Sequence, residues 1–335
     1  MKLSPLSVVD MHTGGEPVRI ITAGYPDIPP GPILRKRAWV RDNADHLRRL
    51  LMFEPRGHFD MYGALLVEPD LPDADLAVLF MHNEGYSTMC GHAVIALGRY
   101  AVDKGLVAAT EPTTEVGIEC PCGLVRARVE VSEGRAGAVS FESVPAFLHT
   151  RDAAISLPGF GRIVFDIAYG GAFYAVADAA QFGLAFGRDP ARDFQDAAAA
   201  LTEAVKAAFP LDHPDAADLA FLYGSILTDG GSGAGGKPTR NICVFADAQI
   251  DRSPTGSGVT ARMAAMHARD EVKLGEDRLF ESVTGSRFTA MIETLTQVGS
   301  RAAVTVRVAG KAHYTGTAEF TLEDDDELGR GFLLR

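Results

Sequence analysis

The sequence predicts an α+β chain built as two similar lobes, and three observations carry that expectation. The chain has 335 residues, 47% of them hydrophobic and 23% charged. At roughly 100–200 residues per domain this suffices for two domains, each with a core of its own. Its apolar runs are mostly short, rich in Val, Ile and Phe, and bounded by Gly, Pro, Asp or Asn, so strands should outnumber helices. Finally, two loop-to-helix openings stand 165 residues apart (255 − 90 = 165), and overlaying them puts Gly91 on Gly256, Val94 on Val259 and Ala96 on Ala261.

Taken in order, the expected strands are Val18–Thr22, Ala64–Val67, Ala77–Met81, Val116–Glu119, Val125–Val131, Ala172–Ala177, Ile242–Ala246 and Ala303–Val308. A helix is expected over Asp42–Leu51, with Asp42 and Asn43 as its caps. The next, Ala93–Lys104, follows Cys90-Gly91-His92 and carries apolar positions at Val94, Leu97, Ala101 and Val102. Asp193–Phe209 is Ala-rich and amphipathic. Val259–Arg269 follows Thr255-Gly256-Ser257-Gly258 and aligns Val259, Met263 and Met266 on one stripe. The composition changes near Glu142–Arg151, which sets an expected boundary. The first lobe spans 1–145 and carries Cys90; the second spans 146–318 and carries Thr255; residues 319–335 return to the first.

Charge and cysteine content exclude several classes. With 32 Lys+Arg against 44 Asp+Glu the net charge is −12, which argues against a protein that binds a phosphate backbone. Four cysteines are too few for a disulfide scaffold. No window approaches the ~18 apolar residues needed to span a bilayer, and the opening Met1–Leu6 leads to Asp10 and His12 without a signal-type apolar core. The expectation is a cytoplasmic protein with reduced thiols, no nucleic-acid partner and no membrane partner.

The two helix openings hold the chemistry. A helix N-terminus presents N–H groups ahead of the hydrogen-bond ladder together with a partial positive charge, so it binds a carboxylate. A cysteine placed there has its thiolate favoured and becomes a candidate nucleophile or base. Cys90 occupies that place in Ser87-Thr88-Met89-Cys90-Gly91-His92, with His92 available as its hydrogen-bond partner. Thr255 occupies the matching place in Asp251-Arg252-Ser253-Pro254-Thr255-Gly256-Ser257-Gly258. Each motif alone reads more readily as a structural turn: a buried cysteine in one, an N-cap threonine in the other. The pair suits chemistry at the α-carbon of an amino acid whose carboxylate is held by backbone donors.

Met89-Cys90-Gly91-His92 together with Asp251-Arg252-Ser253-Pro254 resembles the proline racemase superfamily, which includes hydroxyproline epimerases and trans-3-hydroxy-L-proline dehydratases. The likeness extends to Asp10-Met11-His12-Thr13-Gly14-Gly15-Glu16-Pro17, Met52–His58, Val144–Phe147 and Tyr169–Ala175, and so covers most of the chain. It implies two lobes, each a β-barrel-like sheet wrapped around a central helix as in diaminopimelate epimerase-like folds, with the active site in the cleft between them. It also implies a homodimer that acts on an imino acid without metal or organic cofactor. Racemases and epimerases of this family carry cysteine at both helix starts. This chain has Thr255 at the second, and a hydroxyl is far too weakly acidic to cycle with its anion near neutral pH. The Cys/Thr pair is therefore similar to the dehydratase branch, a hydro-lyase that needs one base. In that branch Cys90 would abstract the α-proton. Gly91, His92, Gly256 and Ser257 would hold the carboxylate, and Asp251 with His92 the ring nitrogen. A proline or hydroxyproline racemase or epimerase is the alternative, and a non-catalytic amino-acid-binding relative a third reading.

Other motifs read more plainly. Gly231-Ser232-Gly233-Ala234-Gly235-Gly236-Lys237 imitates a phosphate-binding loop, but Pro238 stands where a Ser or Thr would meet magnesium, so a flexible loop is expected. Cys120-Pro121-Cys122-Gly123 lacks zinc spacing and a second ligand pair, and a β-turn is expected. Cys243 reads as a core thiol and Glu323–Glu327 as a solvated turn. His12, beside Glu16 in a Gly-rich turn, and His58 are further candidates near the substrate.

Overall fold

A computed structural model describes residues 4–214 and 217–334; Met1–Leu3, on which part of the signal-peptide expectation rests, lie outside the described residues. The chain divides into two compact units, Met1–Phe141 with Lys311–Arg335, and Glu142–Gly310.

The first unit opens with the hairpin β1 (Leu6–Thr13) and β2 (Glu16–Ala23), followed by α1 (Ile33–Asn43) and α2 (Asp45–Met52). Strands β3 (Tyr62–Val67) and β4 (Leu76–His82) lead to α3 (Gly91–Asp103), then β5 (Thr113–Cys120), β6 (Gly123–Ser132) and β7 (Arg135–Glu142). The second unit holds β8 (Phe147–Leu157), β9 (Gly161–Tyr169), β10 (Phe173–Asp178), α4 (Ala191–Ala208), β11 (Leu222–Thr228), β12 (Thr239–Phe245) and β13 (Gln249–Asp251). It continues through α5 (Gly256–Ala268), β14 (Asp277–Glu281), β15 (Arg287–Val298) and β16 (Arg301–Gly310). The last strand, β17 (Ala312–Phe320), pairs with β1 in the first unit.

The duplication hinted at by three matched residues extends to the whole topology. In the first unit the strands run β17-β1-β2-β3-β4-β5-β6-β7, with pairings antiparallel, antiparallel, parallel, antiparallel, parallel, antiparallel, antiparallel. The second unit repeats that series over β8-β9-β10-β11-β12-β14-β15-β16. Each parallel step is a crossover through helix, as a parallel pair requires: α1 with α2 answers to α4, and α3 to α5. Helices α3 and α5 coincide at both ends under the same offset, since 91 + 165 = 256 and 103 + 165 = 268. By the same correspondence β17 is the first unit's counterpart of β8, which is why the C-terminal segment rejoins that unit.

Both central helices are buried on nearly every face: Gly91–Gly98 of α3 and Gly256–Met266 of α5 are all buried. Small residues let strands wrap so closely. A Cβ at Gly98 would lie 3.0 Å from Val139 Cγ1, and one at Gly170, in the turn between β9 and β10, would lie 2.2 Å from the Ser257 carbonyl oxygen. That second neighbour is helix backbone and cannot step aside. Gly170→Ala is therefore expected to destabilise the protein by about 3 kcal/mol, at the upper end of overpacking costs, and thermal unfolding against wild type measures it. Separate cores form around the peripheral helices: Val40, Leu47, Leu50 and Leu51 in the first unit, Phe194, Leu201 and Val205 in the second.

One expected helix is corrected. Asp42–Leu51 is not continuous; α1 and α2 are separated at the buried Ala44 (φ −129°, ψ 14°). Asp42 and Asn43 end α1 instead of capping α2: Asn43 Nδ2 donates to the Trp39 carbonyl at 2.8 Å, and Asp42 pairs with Arg41. The preceding helix is hidden from a sequence reading because Leu34-Arg35-Lys36-Arg37 breaks the apolar stripe. The Gly231–Lys237 segment is a loop between β11 and β12 with no helix after it, and Cys120–Gly123 is the tight turn joining β5 to β6. Residues 323–327 are exposed. Among the described residues no helix is long and apolar enough to cross a membrane.

Candidate active site

In the first unit the site is built on the start of α3. Cys90 is its N-cap, in extended conformation (φ −149°, ψ 104°), 5% exposed and without a side-chain cap bond. The ladder begins with Val94 donating to the Cys90 carbonyl at 3.0 Å, so the first N–H groups of the helix stand ahead of it. The Cys90 Sγ lies 3.2 Å from His92 Nδ1, a contact across which a proton can pass. Negative charge on the sulfur is favoured by the helix terminus.

Several side chains the sequence did not single out hold this start in place. Thr13 Oγ1 donates to the His92 carbonyl at 2.8 Å, which gives the Asp10–Pro17 motif a direct part in the site. Tyr62 meets the His92 ring edge-on at 4.8 Å and hydrogen-bonds Ser87 through its hydroxyl. The Cys120–Gly123 turn braces the approach to Cys90, with Cys122 N–H donating to the Thr88 carbonyl at 3.1 Å. Burial pushes the Cys120 thiol well above its ordinary range, helped by Cys122 and Cys90 beside it, so Cys120 stays protonated. None of the four cysteines is joined in a disulfide, and Cys243 is fully buried in β12.

In the second unit the matching start belongs to α5, and its N-cap is Thr255. Its backbone (φ 68°, ψ 97°) lies in a region that a β-branched residue enters only under strain. Thr255 is 5% exposed, and its Oγ1 has no hydrogen-bond partner among the described residues. Such an orphaned buried hydroxyl calls for an explanation, and a role in binding or catalysis is one. The turn before it is internally bonded: Ser253 N–H donates to Asp251 Oδ1 (2.7 Å), and Thr255 N–H to Ser253 Oγ (3.1 Å). Ser257 shares a 2.7 Å hydrogen bond with Tyr174, whose burial raises its phenol well above the usual range and keeps it protonated. Gly258 leaves room for the threonine: a Cβ there would sit 2.9 Å from Thr255 Cγ2.

Among the further candidates, His12 is the penultimate residue of β1, where its Nδ1 accepts from Gly15 N–H at 3.2 Å and its ring lies 5.3 Å from that of His313. Burial, then His313, lowers its pKa, in keeping with an unprotonated Nδ1. Glu16 is fully buried in the same hairpin. His58 stands in an exposed turn, its ring nitrogen Nδ1 2.7 Å from the Phe59 carbonyl. Among the described residues no group of three or more His, Cys, Asp or Glu side chains is placed to hold a metal ion.

A family model described as proline racemase matches residues 8–333, nearly the whole chain. The chain belongs to the proline racemase family. A relative from Xenopus tropicalis named trans-L-3-hydroxyproline dehydratase is 57% identical over 332 residues, covering 98% of this chain and 95% of the relative. A family member from Burkholderia multivorans named 3-hydroxyproline 2-epimerase is 44% identical, with full coverage of both. The crystal structure of a hydroxyproline epimerase from Agrobacterium vitis with bound trans-4-OH-L-proline superposes with a TM-score of 0.92 at 30% identity, covering 100% of this chain and 97% of that one. The two-lobed α+β fold is thus the family's fold.

Proposed function

We propose that this chain is a hydro-lyase that dehydrates trans-3-hydroxy-L-proline to Δ1-pyrroline-2-carboxylate. The observation that carries the reading is Thr255: a buried, unpartnered hydroxyl at the helix start where two-base catalysis needs a thiol. The Xenopus tropicalis relative, whose name states this activity, supports it.

The chemistry follows from one base. The Cys90 thiolate takes the α-proton, and negative charge builds toward the carboxylate, where the leading N–H groups of Gly91, His92, Gly256 and Ser257 stabilise it. Asp251 and His92 hold the ring nitrogen. In the trans isomer the 3-hydroxyl lies on the same ring face as the α-proton, so the departing hydroxyl is protonated from the Cys90 side. The Cys90–His92 pair, in contact at 3.2 Å, returns to the hydroxyl the proton it gained. The C–O bond breaks, water leaves, and the enamine tautomerises to the cyclic imine. The atoms balance without a metal or an organic cofactor. Thr255 orients the ring and is no second base. The working form in this reading is a cytoplasmic homodimer.

Incubation with trans-3-hydroxy-L-proline, trans-4-hydroxy-L-proline and L-proline in deuterated buffer tests the assignment. Pyrroline carboxylate is expected from the first alone, with no inversion of the other two. Inversion of any of them at the α-carbon, without loss of water, would replace this reading by an epimerase.

A further inference from the structure

The strained turn before α5 needs an anchor from outside itself. Its N–H groups are satisfied within the turn, and the Thr255 carbonyl accepts from Val259 N–H at 2.7 Å. The Pro254 carbonyl is held by a different element: Asn241 Nδ2, from β12, donates to it at 3.1 Å. Asn241 is 1% exposed, and a buried amide could present either end to that carbonyl. Arg262 removes the ambiguity. Its Nη1 lies 3.0 Å from Asn241 Oδ1, and a guanidinium only donates, so the amide oxygen must face Arg262 and the amide NH2 must face Pro254.

Arg262 is itself fixed. Its Nη2 donates to Thr239 Oγ1 at 2.8 Å, Thr239 Oγ1 donates in turn to Asp229 Oδ1 at 2.8 Å, and the guanidinium lies over the Phe280 ring at 4.9 Å. Burial lowers its pKa to about 10, which still leaves it charged at neutral pH. Among the described residues no carboxylate pairs with it directly; Asp229 is reached only through Thr239. Burying a cation costs free energy unless its donors are used, and Arg262 directs them to Asn241, Thr239 and Gly231, so the cation is best understood by what it orients.

We propose that Asn241, polarised by Arg262, clamps the Pro254 carbonyl and thereby holds Thr255 in its strained conformation, which makes Asn241 a positioning residue for the reaction. The proposal rests on the reading that Thr255 meets the substrate. It also gives the Gly-rich loop a role, since Asp229 and Gly231 at its start bound the clamp.

Asn241→Asp separates positioning from folding. The carboxylate keeps an oxygen toward Arg262 as an ion pair but has no N–H for Pro254 and repels its carbonyl. The expected result is a folded protein whose kcat for trans-3-hydroxy-L-proline falls about 10–100-fold with KM changed less than about threefold, the scale of a small misplacement at a reacting centre. Asn241→Ala, which removes both bonds, should lose kcat similarly and is used if the aspartate variant does not fold. Wild-type kcat in a folded variant overturns the clamp, as does a change confined to KM, or a loss that vanishes once rates are normalised to folded protein. A wild-type protein that does not dehydrate the substrate at all overturns the functional reading instead, before any variant is made.

Discussion

Cys90→Ser is expected to lower dehydration of trans-3-hydroxy-L-proline by about a hundredfold to ten-thousandfold, the range over which a positioned base contributes. Serine is nearly isosteric, so the loss would come from proton affinity: its hydroxyl does not ionise near neutral pH, whereas a thiol with an ordinary pKa of about 8.5 does, more readily at a helix start. The same substitution should leave stability unchanged or raise it. Cys90 has the extended backbone of an N-cap but makes no cap bond, and serine is among the preferred N-caps, contributing up to about 1 kcal/mol where its oxygen reaches the N2 or N3 N–H. Activity and melting temperature should therefore part company. A purely structural cysteine would show the reverse: activity kept, or lost only with the fold. Steady-state rates beside thermal unfolding for Cys90→Ser and Cys90→Ala decide it, and full activity in either removes Cys90 as the base.

The pattern of what was readable in the sequence follows the physics of each element. The segments β2, β3, β4, β6, β12 and β16 announce themselves by short apolar runs with clear ends, and α3, α4 and α5 by apolar spacing or glycine-marked starts. By contrast β17, Ala312–Phe320, is exposed along most of its length and carries no alternation to read. Strand β8 has a Thr-Arg-Asp interruption where its register with β9 shifts. Of the candidate site, the two helix starts were legible because glycine follows Cys90 and Thr255 and the two openings repeat at one spacing, although either motif alone also reads as a structural turn. Their supports were not. Tyr62, Ser87, Thr13, Asn241 and Arg262 act through long-range contacts that no spacing encodes. A signal was present for Arg262, however: it stands within Val259–Met266, a stretch otherwise made of Val, Thr, Ala and Met, and a cation buried there must find acceptors. The positive φ of Thr255 could not be foreseen, because its residue type argues against it.

Thr255→Cys tests whether the second helix start reaches the same carbon as the first. The backbone there is fixed by the Ser253 and Asn241 bonds, and cysteine lacks the Cγ2 branch, so it should adopt φ 68° with less strain than threonine. Its sulfur would take the place of an oxygen that has no hydrogen-bond partner among the described residues. With thiols at both starts, one can remove the α-proton while the other returns one to the opposite face. L-proline has no 3-hydroxyl to lose, so its carbanion-like intermediate can only be reprotonated. In deuterated buffer the variant should incorporate deuterium at the α-carbon of L-proline and form the D-isomer, at a rate at least about tenfold above wild type; mass spectrometry and chiral chromatography measure both. Formation of the D-isomer should disappear in the Cys90→Ser/Thr255→Cys double variant, because inversion needs a thiol on each face of the α-carbon. If the single variant still dehydrates trans-3-hydroxy-L-proline yet exchanges nothing, position 255 does not address the α-carbon, and the difference between eliminating water and inverting the centre must lie in the residues that hold the leaving hydroxyl.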